Sequence, residues 1–137
     1  MRIFLDTNVL VAAIATRGLC TEILEAVLQG HELLTCGPVF AELERVLVSK
    51  LRVPRATAVD FVDLLREEGQ LIEARHPPSA RVKDASDVPI LSGALAGNAD
   101  VFVTGDKALL DLRKVDGLPI LSPRELWMRL ATPGDVR

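Results

Sequence analysis

The sequence predicts an α/β domain with a mainly parallel central sheet. Short apolar runs alternate with longer amphipathic segments along the chain, the pattern that gives strand–helix–strand units. Two of those runs share one design. Ile3-Phe4-Leu5 leads directly into Asp6, and Val101-Phe102-Val103 leads through Thr104-Gly105 into Asp106; a helical run follows each carboxylate. In a parallel sheet both carboxylates fall on the same edge, the carboxyl edge where ligands of open α/β sheets bind.

The elements follow in order. Ile3–Leu5 is a short buried strand and Val9–Ile14 a helix over it. Asp6, Thr7 and Asn8 separate the two, and all three are good helix caps, so Asp6 reads equally as a cap or as a functional acid. Thr21–Leu28 repeats apolar residues at helical spacing, with Gly30 as its stop. His31–Cys36 reads as a strand. Gly37-Pro38 breaks the chain and opens a helix from Val39 to Lys50 with Val39, Leu43, Val46 and Leu47 on one face. A further helix follows Pro54, through Ala58, Phe61, Val62 and Leu65, and ends at Gly69. Leu71-Ile72 is a short strand, and Glu73–Lys83, with its Pro77-Pro78-Ser79, a loop. Asp84-Ala85-Ser86-Asp87 opens a helix that tolerates Pro89 because it lies in the first turn. Gly97-Asn98 ends that helix. Val101–Val103 is a strand, Lys107–Leu112 a helix, and Leu118–Leu121 the last strand. Ser122-Pro123-Arg124-Glu125 is a capping box for a final helix. Residues 1–131 read as one domain and 132–137 as a loose tail.

Composition narrows the function classes. At 137 residues and 49% hydrophobic, the chain suits one well-buried domain. Aromatic residues are 4% with no Tyr, so base stacking does not dominate any nucleic-acid binding. No apolar run approaches the ~18 residues of a membrane span, and the N-terminus lacks a signal-peptide pattern; the expected location is the cytoplasm. Cys20 and Cys36 have no metal-type spacing and read as reduced core residues. His31 and His76 read as solvated. A net charge of −3 argues against a bulk nucleic-acid binder unless the acids gather around cations.

Asp6 and Asp106 flank a crevice if their strands are neighbours with helices leaving to opposite sides. Asp87 joins them if the loop before it folds back. Glu42 or Glu44 reaches them from the helix after Pro38. Converging carboxylates repel one another and have raised pKa values unless a cation sits among them. Oxygen-only ligation suits Mg²⁺ or Mn²⁺, and no His or Cys cluster supports zinc. Such acidic clusters perform metal-assisted phosphodiester hydrolysis.

At these residues the chain resembles the PIN-domain family, including the VapC-type toxins of bacterial and archaeal toxin–antitoxin systems. The matching stretches are Leu5-Asp6-Thr7-Asn8-Val9-Leu10, Ala41-Glu42-Leu43, Asp84 to Ala94, and Ala99 to Asp106. The resemblance implies a three-layer sandwich around a parallel sheet of order 3-2-1-4-5, and a Mg²⁺- or Mn²⁺-dependent endoribonuclease acting on RNA. It places Asp6, Glu42, Asp87 and Asp106 at the family's acidic, metal-binding and catalytic positions, and Asn8 and Thr104 at its polar supporting positions. It also implies a homodimer and an antitoxin protein as partner. Pro89, close behind Asp87, departs from the pattern.

Other readings of the residues stay open. A PIN-like module that binds protein partners without cleaving is one. An aspartate-based phosphatase is another, although it wants a second Asp where Asn8 stands. Glu42 is favoured over Glu44 because it lies nearer the helix start. Asp84 and Asp100 read as a cap and a turn residue. Lys107, beside Asp106, reads as a phosphate contact or a solvated helix-start Lys. Arg45, Lys50, Arg52 and Arg55 form a basic cluster that either guides RNA or is ordinary surface charge. The apolar faces of Val39–Leu47 and Ala58–Leu65 read as generous for a monomer, and so as dimer surface.

Overall fold

Three consecutive side chains of the first strand, Ile3, Phe4 and Leu5, are fully buried, and so are Val101, Phe102 and Val103. Strands buried on both faces require a sheet covered by helices on both sides. The computed structural model, which describes residues 1–73, 76–79 and 82–131, has that architecture. The strands are β1 (Arg2–Leu5), β2 (Glu32–Cys36), β3 (Gln70–Ile72), β4 (Val101–Val103), β5 (Lys114–Val115) and β6 (Leu118–Leu121). The helices are α1 (Thr7–Ala15), α2 (Leu19–Gly30), α3 (Gly37–Arg45), α4 (Arg55–Glu68), α5 (Asp87–Ala96), α6 (Lys107–Leu110) and α7 (Pro123–Ala131). The expected tail 132–137 and residues 74, 75, 80 and 81 of the expected loop lie outside the described residues.

The sheet runs β3-β2-β1-β4-β6-β5. Every pairing is parallel except β5 with β6. With Leu118–Leu121 as the fifth expected strand, the order is the anticipated 3-2-1-4-5 plus one short edge strand. That addition, β5, turns into β6 through Asp116-Gly117, both at positive φ (49° and 84°), as a two-residue type I′ hairpin demands. Strand β1 pairs with β2 on one side and β4 on the other, so the strand order reverses between β1 and β4, where a crevice opens.

The core is centred on β1. Phe4 aligns with Leu34 of β2 and Phe102 of β4, and the two rings stack with centroids 5.4 Å apart. Helix α5 approaches β2 closely because Gly93 has no side chain: a Cβ there would stand 3.1 Å from Cys36 Cβ and Sγ. Two helices end earlier than expected. The helix after Pro38 runs as α3 only to Arg45 and continues as a π-helical turn, Val46–Lys50, closed by Leu51 N–H on Val46 O at 3.1 Å. Helix α6 stops at Leu110 rather than Leu112, because the chain must turn into β5, with Arg113 at positive φ. The capping box forms as expected, with Ser122 N–H on Glu125 Oε1 (3.0 Å) and Glu125 N–H on Ser122 Oγ (3.1 Å).

The apolar faces expected to form dimer surface are spent inside the monomer. Val39, Leu43, Leu47, Ala58, Val62 and Leu65 are all buried, and α3 packs on α4. Of the large apolar side chains on these segments Val59 and Leu64 stay exposed, as does Leu51 just beyond the first. His31 is also corrected: it is partly buried, and its Nδ1 lies 3.2 Å from the N-terminal ammonium. Burial, then that positive charge, lowers its pKa.

Candidate active site

Asp6 begins where β1 ends. Its N–H still joins the sheet ladder, donating to Val103 O at 2.8 Å, while its extended backbone makes it the N-cap of α1. Its Oδ1 accepts from Thr7 N–H at 2.8 Å. Its Oδ2 accepts from Thr104 Oγ1 at 2.7 Å and from Asn8 Nδ2 at 3.2 Å. Both readings of Asp6 therefore hold: it caps the helix and stands in the acidic crevice. A carboxylate has about four lone-pair sites; three are taken by these donors and one is left for a ligand.

Thr104 continues β4 by one residue and ties this edge together. Its hydroxyl donates to Asp6 and accepts from Asp106 N–H (3.0 Å) and Asn8 Nδ2 (3.2 Å). That uses its one donor and both acceptor sites. Asn8 in turn accepts Gly105 N–H on Oδ1 at 2.8 Å. Asn8 and Thr104 thus clamp the β1–α1 and β4–α6 turns to each other. The clamp also bears on the phosphatase alternative: the amide at position 8 cannot act as a general acid and is spent on bridging. Asp106 caps α6, accepting Ala108 N–H on Oδ1 at 2.9 Å.

Glu42 and Asp87 reach this edge from other elements. Glu42 lies on α3, which leaves the carboxyl end of β2, and Asp87 is the first residue of α5. Burial raises the pKa of Asp6 against the donors from Thr104 and Thr7, and the charges of Glu42 and Asp106 raise it further. Asp87 is pushed up to about 6, first by burial and then by the charges of Asp6, Asp84, Asp106 and Glu42. The four acids singled out in the sequence therefore share one electrostatic field, built from residues dispersed over the chain. Pro89 sits in the first turn of α5 and leaves Asp87 in that field.

The other candidates separate from these four. Glu44 turns away, its Oε1 3.3 Å from Arg55 Nη1. Asp100 lies at the opposite edge of the sheet, accepting Arg2 N–H at 2.7 Å. Asp84 accepts Ser86 N–H and Oγ at 2.9 and 2.8 Å, which lowers its pKa, yet its charge still reaches Asp87. One neighbour escaped the sequence reading: the buried Cys36 thiol, whose pKa rises through burial and, in lesser part, through the charge of Asp6. Only strand register puts it there.

The donor set fits a hard cation. It is all oxygen, and its mutual repulsion is what a divalent ion relieves. Among the described residues, no group of three His, Cys, Asp or Glu side chains closes around one point tightly enough to hold an ion directly.

Comparison with known proteins agrees with this fold. The family model for the PIN domain matches residues 2–108. No curated protein matches the sequence. Among solved structures, the chain resembles one in VapBC2 from Rickettsia felis bound to a DNA fragment from their promoter. The TM-score is 0.65 at 20% identity, over 89% of this chain and 98% of that one. It also resembles one in VapBC-1 from nontypeable Haemophilus influenzae. There the TM-score is 0.58 at 19% identity, over 90% of this chain and 99% of that one.

Proposed function

The chain belongs to the PIN-domain family, and on that premise we propose that it is a Mg²⁺- or Mn²⁺-dependent endoribonuclease, the toxin of a toxin–antitoxin pair. The observation that carries this reading is the shared field of Asp6, Glu42, Asp87 and Asp106 at the reversal between β1 and β4. These four acids would hold the ion, with Asp6 central among them. When bound, the ion supplies Lewis acidity to the phosphate and to a water. The chain's own contribution is positional. Thr104 and Asn8 fix the Asp6 carboxylate, and the α6 cap fixes that of Asp106. The Glu42 carboxylate accepts no hydrogen bond from another described residue and orients the attacking water or takes its proton. Asp87, with a pKa near 6 in the ion-free protein, exchanges a proton close to neutral pH.

The test is metal dependence. Single-stranded RNA incubated with the protein and Mg²⁺ or Mn²⁺ is cleaved internally, and excess EDTA abolishes cleavage; undiminished cleavage in EDTA sinks the mechanism. No helix among the described residues is long and apolar enough to cross a membrane, and we place the activity in the cytoplasm. The proposed partners are an antitoxin protein, as in the VapBC assemblies whose fold the chain shares, and a second copy of the chain. Leu51, Val59 and Leu64 are among the exposed apolar side chains left for them. Light scattering at tens of micromolar, a rough concentration for a weak dimer, is expected to give twice the chain mass, and a monomer counts against the dimer.

A further inference from the structure

A crevice of about 670 Å³ opens beside Asp87 and Asp106, between the segment that enters α5 and helix α6. Its walls differ in chemistry. Asp84, Asp87, Asp106 and Asp111 make one part acidic, Leu109 and Leu112 make another apolar, and Lys83 is the one cation among its described lining residues. Lys83 is exposed and forms no salt bridge among the described residues, although Asp84 adjoins it in sequence. Lys107, the lysine that the sequence offered as a phosphate contact, does not line this crevice. Leu112 is 37% exposed and gives the wall an apolar face open to solvent.

These features match one ligand chemistry. A polyanion entering an aspartate-lined crevice is repelled unless a fixed positive charge meets it, and an unpaired ammonium on the wall supplies that charge. A nucleotide brings a phosphate together with a flat, largely apolar base. No aromatic side chain is among the crevice's described lining residues, and an exposed leucine takes the place of a stacking one. We propose that this crevice is a nucleotide subsite adjoining the acids, in which Lys83 holds the phosphate neighbouring the scissile one and Leu112 packs against a base. The assignment rests on the ribonuclease reading above. Lys83 is a positioning residue: it sets where the strand lies and leaves the bond-breaking step to the acids.

Binding separates the two ideas, because it needs no cleavage. The probe is a fluorescein-labelled single-stranded RNA of mixed sequence, titrated with the protein in Ca²⁺ and followed by anisotropy across a range of salt. Each phosphate contact on a single strand contributes about 0.7 to the slope of log affinity against log salt. Lys83→Gln is expected to weaken binding and lower that slope by about 0.7, while Lys83→Arg restores both. Leu112→Asn is expected to weaken binding severalfold with the slope unchanged, since it removes apolar contact and no charge. In Mg²⁺, Lys83→Gln raises KM and leaves kcat near wild type. A wild-type slope and affinity in Lys83→Gln overturn the subsite, and so does a loss in Lys107→Gln that Lys83→Gln does not share. RNA binding that depends on Lys83, without cleavage in any metal, sustains the subsite and fells the nuclease reading instead.

Discussion

The two edges of the parallel sheet handle charge in opposite ways. At the amino edge every charge is answered. Arg2 Nη1 meets Glu32 Oε2 at 2.6 Å, and two further guanidinium donors reach Gly97 O at 2.9 and 2.6 Å. Asp100 accepts the Arg2 N–H, and the N-terminal ammonium meets His31. At the carboxyl edge, Asp6, Glu42, Asp87 and Asp106 face one another, and no salt bridge among the described residues reaches them. Burial and mutual repulsion raise two of their pKa values. A fold that neutralises one edge and leaves the other anionic concentrates its charge repulsion at the edge where the proposed cation and RNA would bind. The amino edge is tied together by ion pairs and hydrogen bonds, and the carboxyl edge keeps its acids without a salt-bridge partner among the described residues.

The largest expected effect tests that contrast directly. Asp6→Asn keeps the cap and removes the central charge, and cleavage in Mg²⁺ is expected to fall by about 10³-fold or more, the scale for losing a key electrostatic group. Asp100→Asn, at the other edge, is expected to leave cleavage unchanged. Comparable losses in both variants would erase the distinction between the edges.

The next effect divides one helix. Glu42→Gln is expected to reduce cleavage by about 10²-fold, as for a positioned base or water-holding group. Glu44→Gln, which only breaks the exposed pair with Arg55, is expected to cost about a fewfold at most. Rate measurements on the two variants decide it; the reverse ranking would mean that Glu44 serves the site.

The smallest effect lies in stability. Asp87 titrates near 6 when folded and near 3.9 when unfolded. Between those values the folded chain keeps a proton the unfolded chain has lost, so this group's destabilising contribution is complete above about pH 6 and is relieved on acidification toward pH 4. Asp6, also raised, acts in the same direction. In EDTA, thermal melts are expected to rise as pH falls from 7 through 6. Asp87→Asn is expected to gain on the order of 1 kcal/mol at pH 7, discounted for solvent screening, or about 3–5 °C, and to flatten the pH dependence. A destabilised Asp87→Asn with the same pH profile as wild type would mean that the acids do not repel.

Much of this was legible in the sequence for local reasons. A strand that ends in Asp and opens a helix satisfies capping and edge placement together, so Asp6 and Asp106 could be found from neighbours alone. The Ser122–Glu125 capping box and the Asn98 helix stop, with φ of 53°, are local in the same sense. The Asp116-Gly117 hairpin was equally local and was passed over, because a two-residue strand leaves almost no periodicity to notice. The π-helical turn at Val46–Lys50 has no comparable signal: its apolar spacing reads as ordinary α-helix.

What the sequence by itself determined, then, is the alternation of elements, the acidic residue types and the edge to which Asp6 and Asp106 belong, since these follow from interactions a few residues apart. The tertiary structure decided which distant residues share that edge. Glu42 rather than Glu44 enters the field of Asp6, Asp87 folds back to it, and Lys83 rather than Lys107 lines the crevice. It also decided that the apolar faces of α3 and α4 cover each other instead of a partner. The reason is geometric. Periodicity says which side chains share a face, whereas the partner of that face is set by parallel register and helix packing between segments far apart in the chain, and no local pattern encodes it.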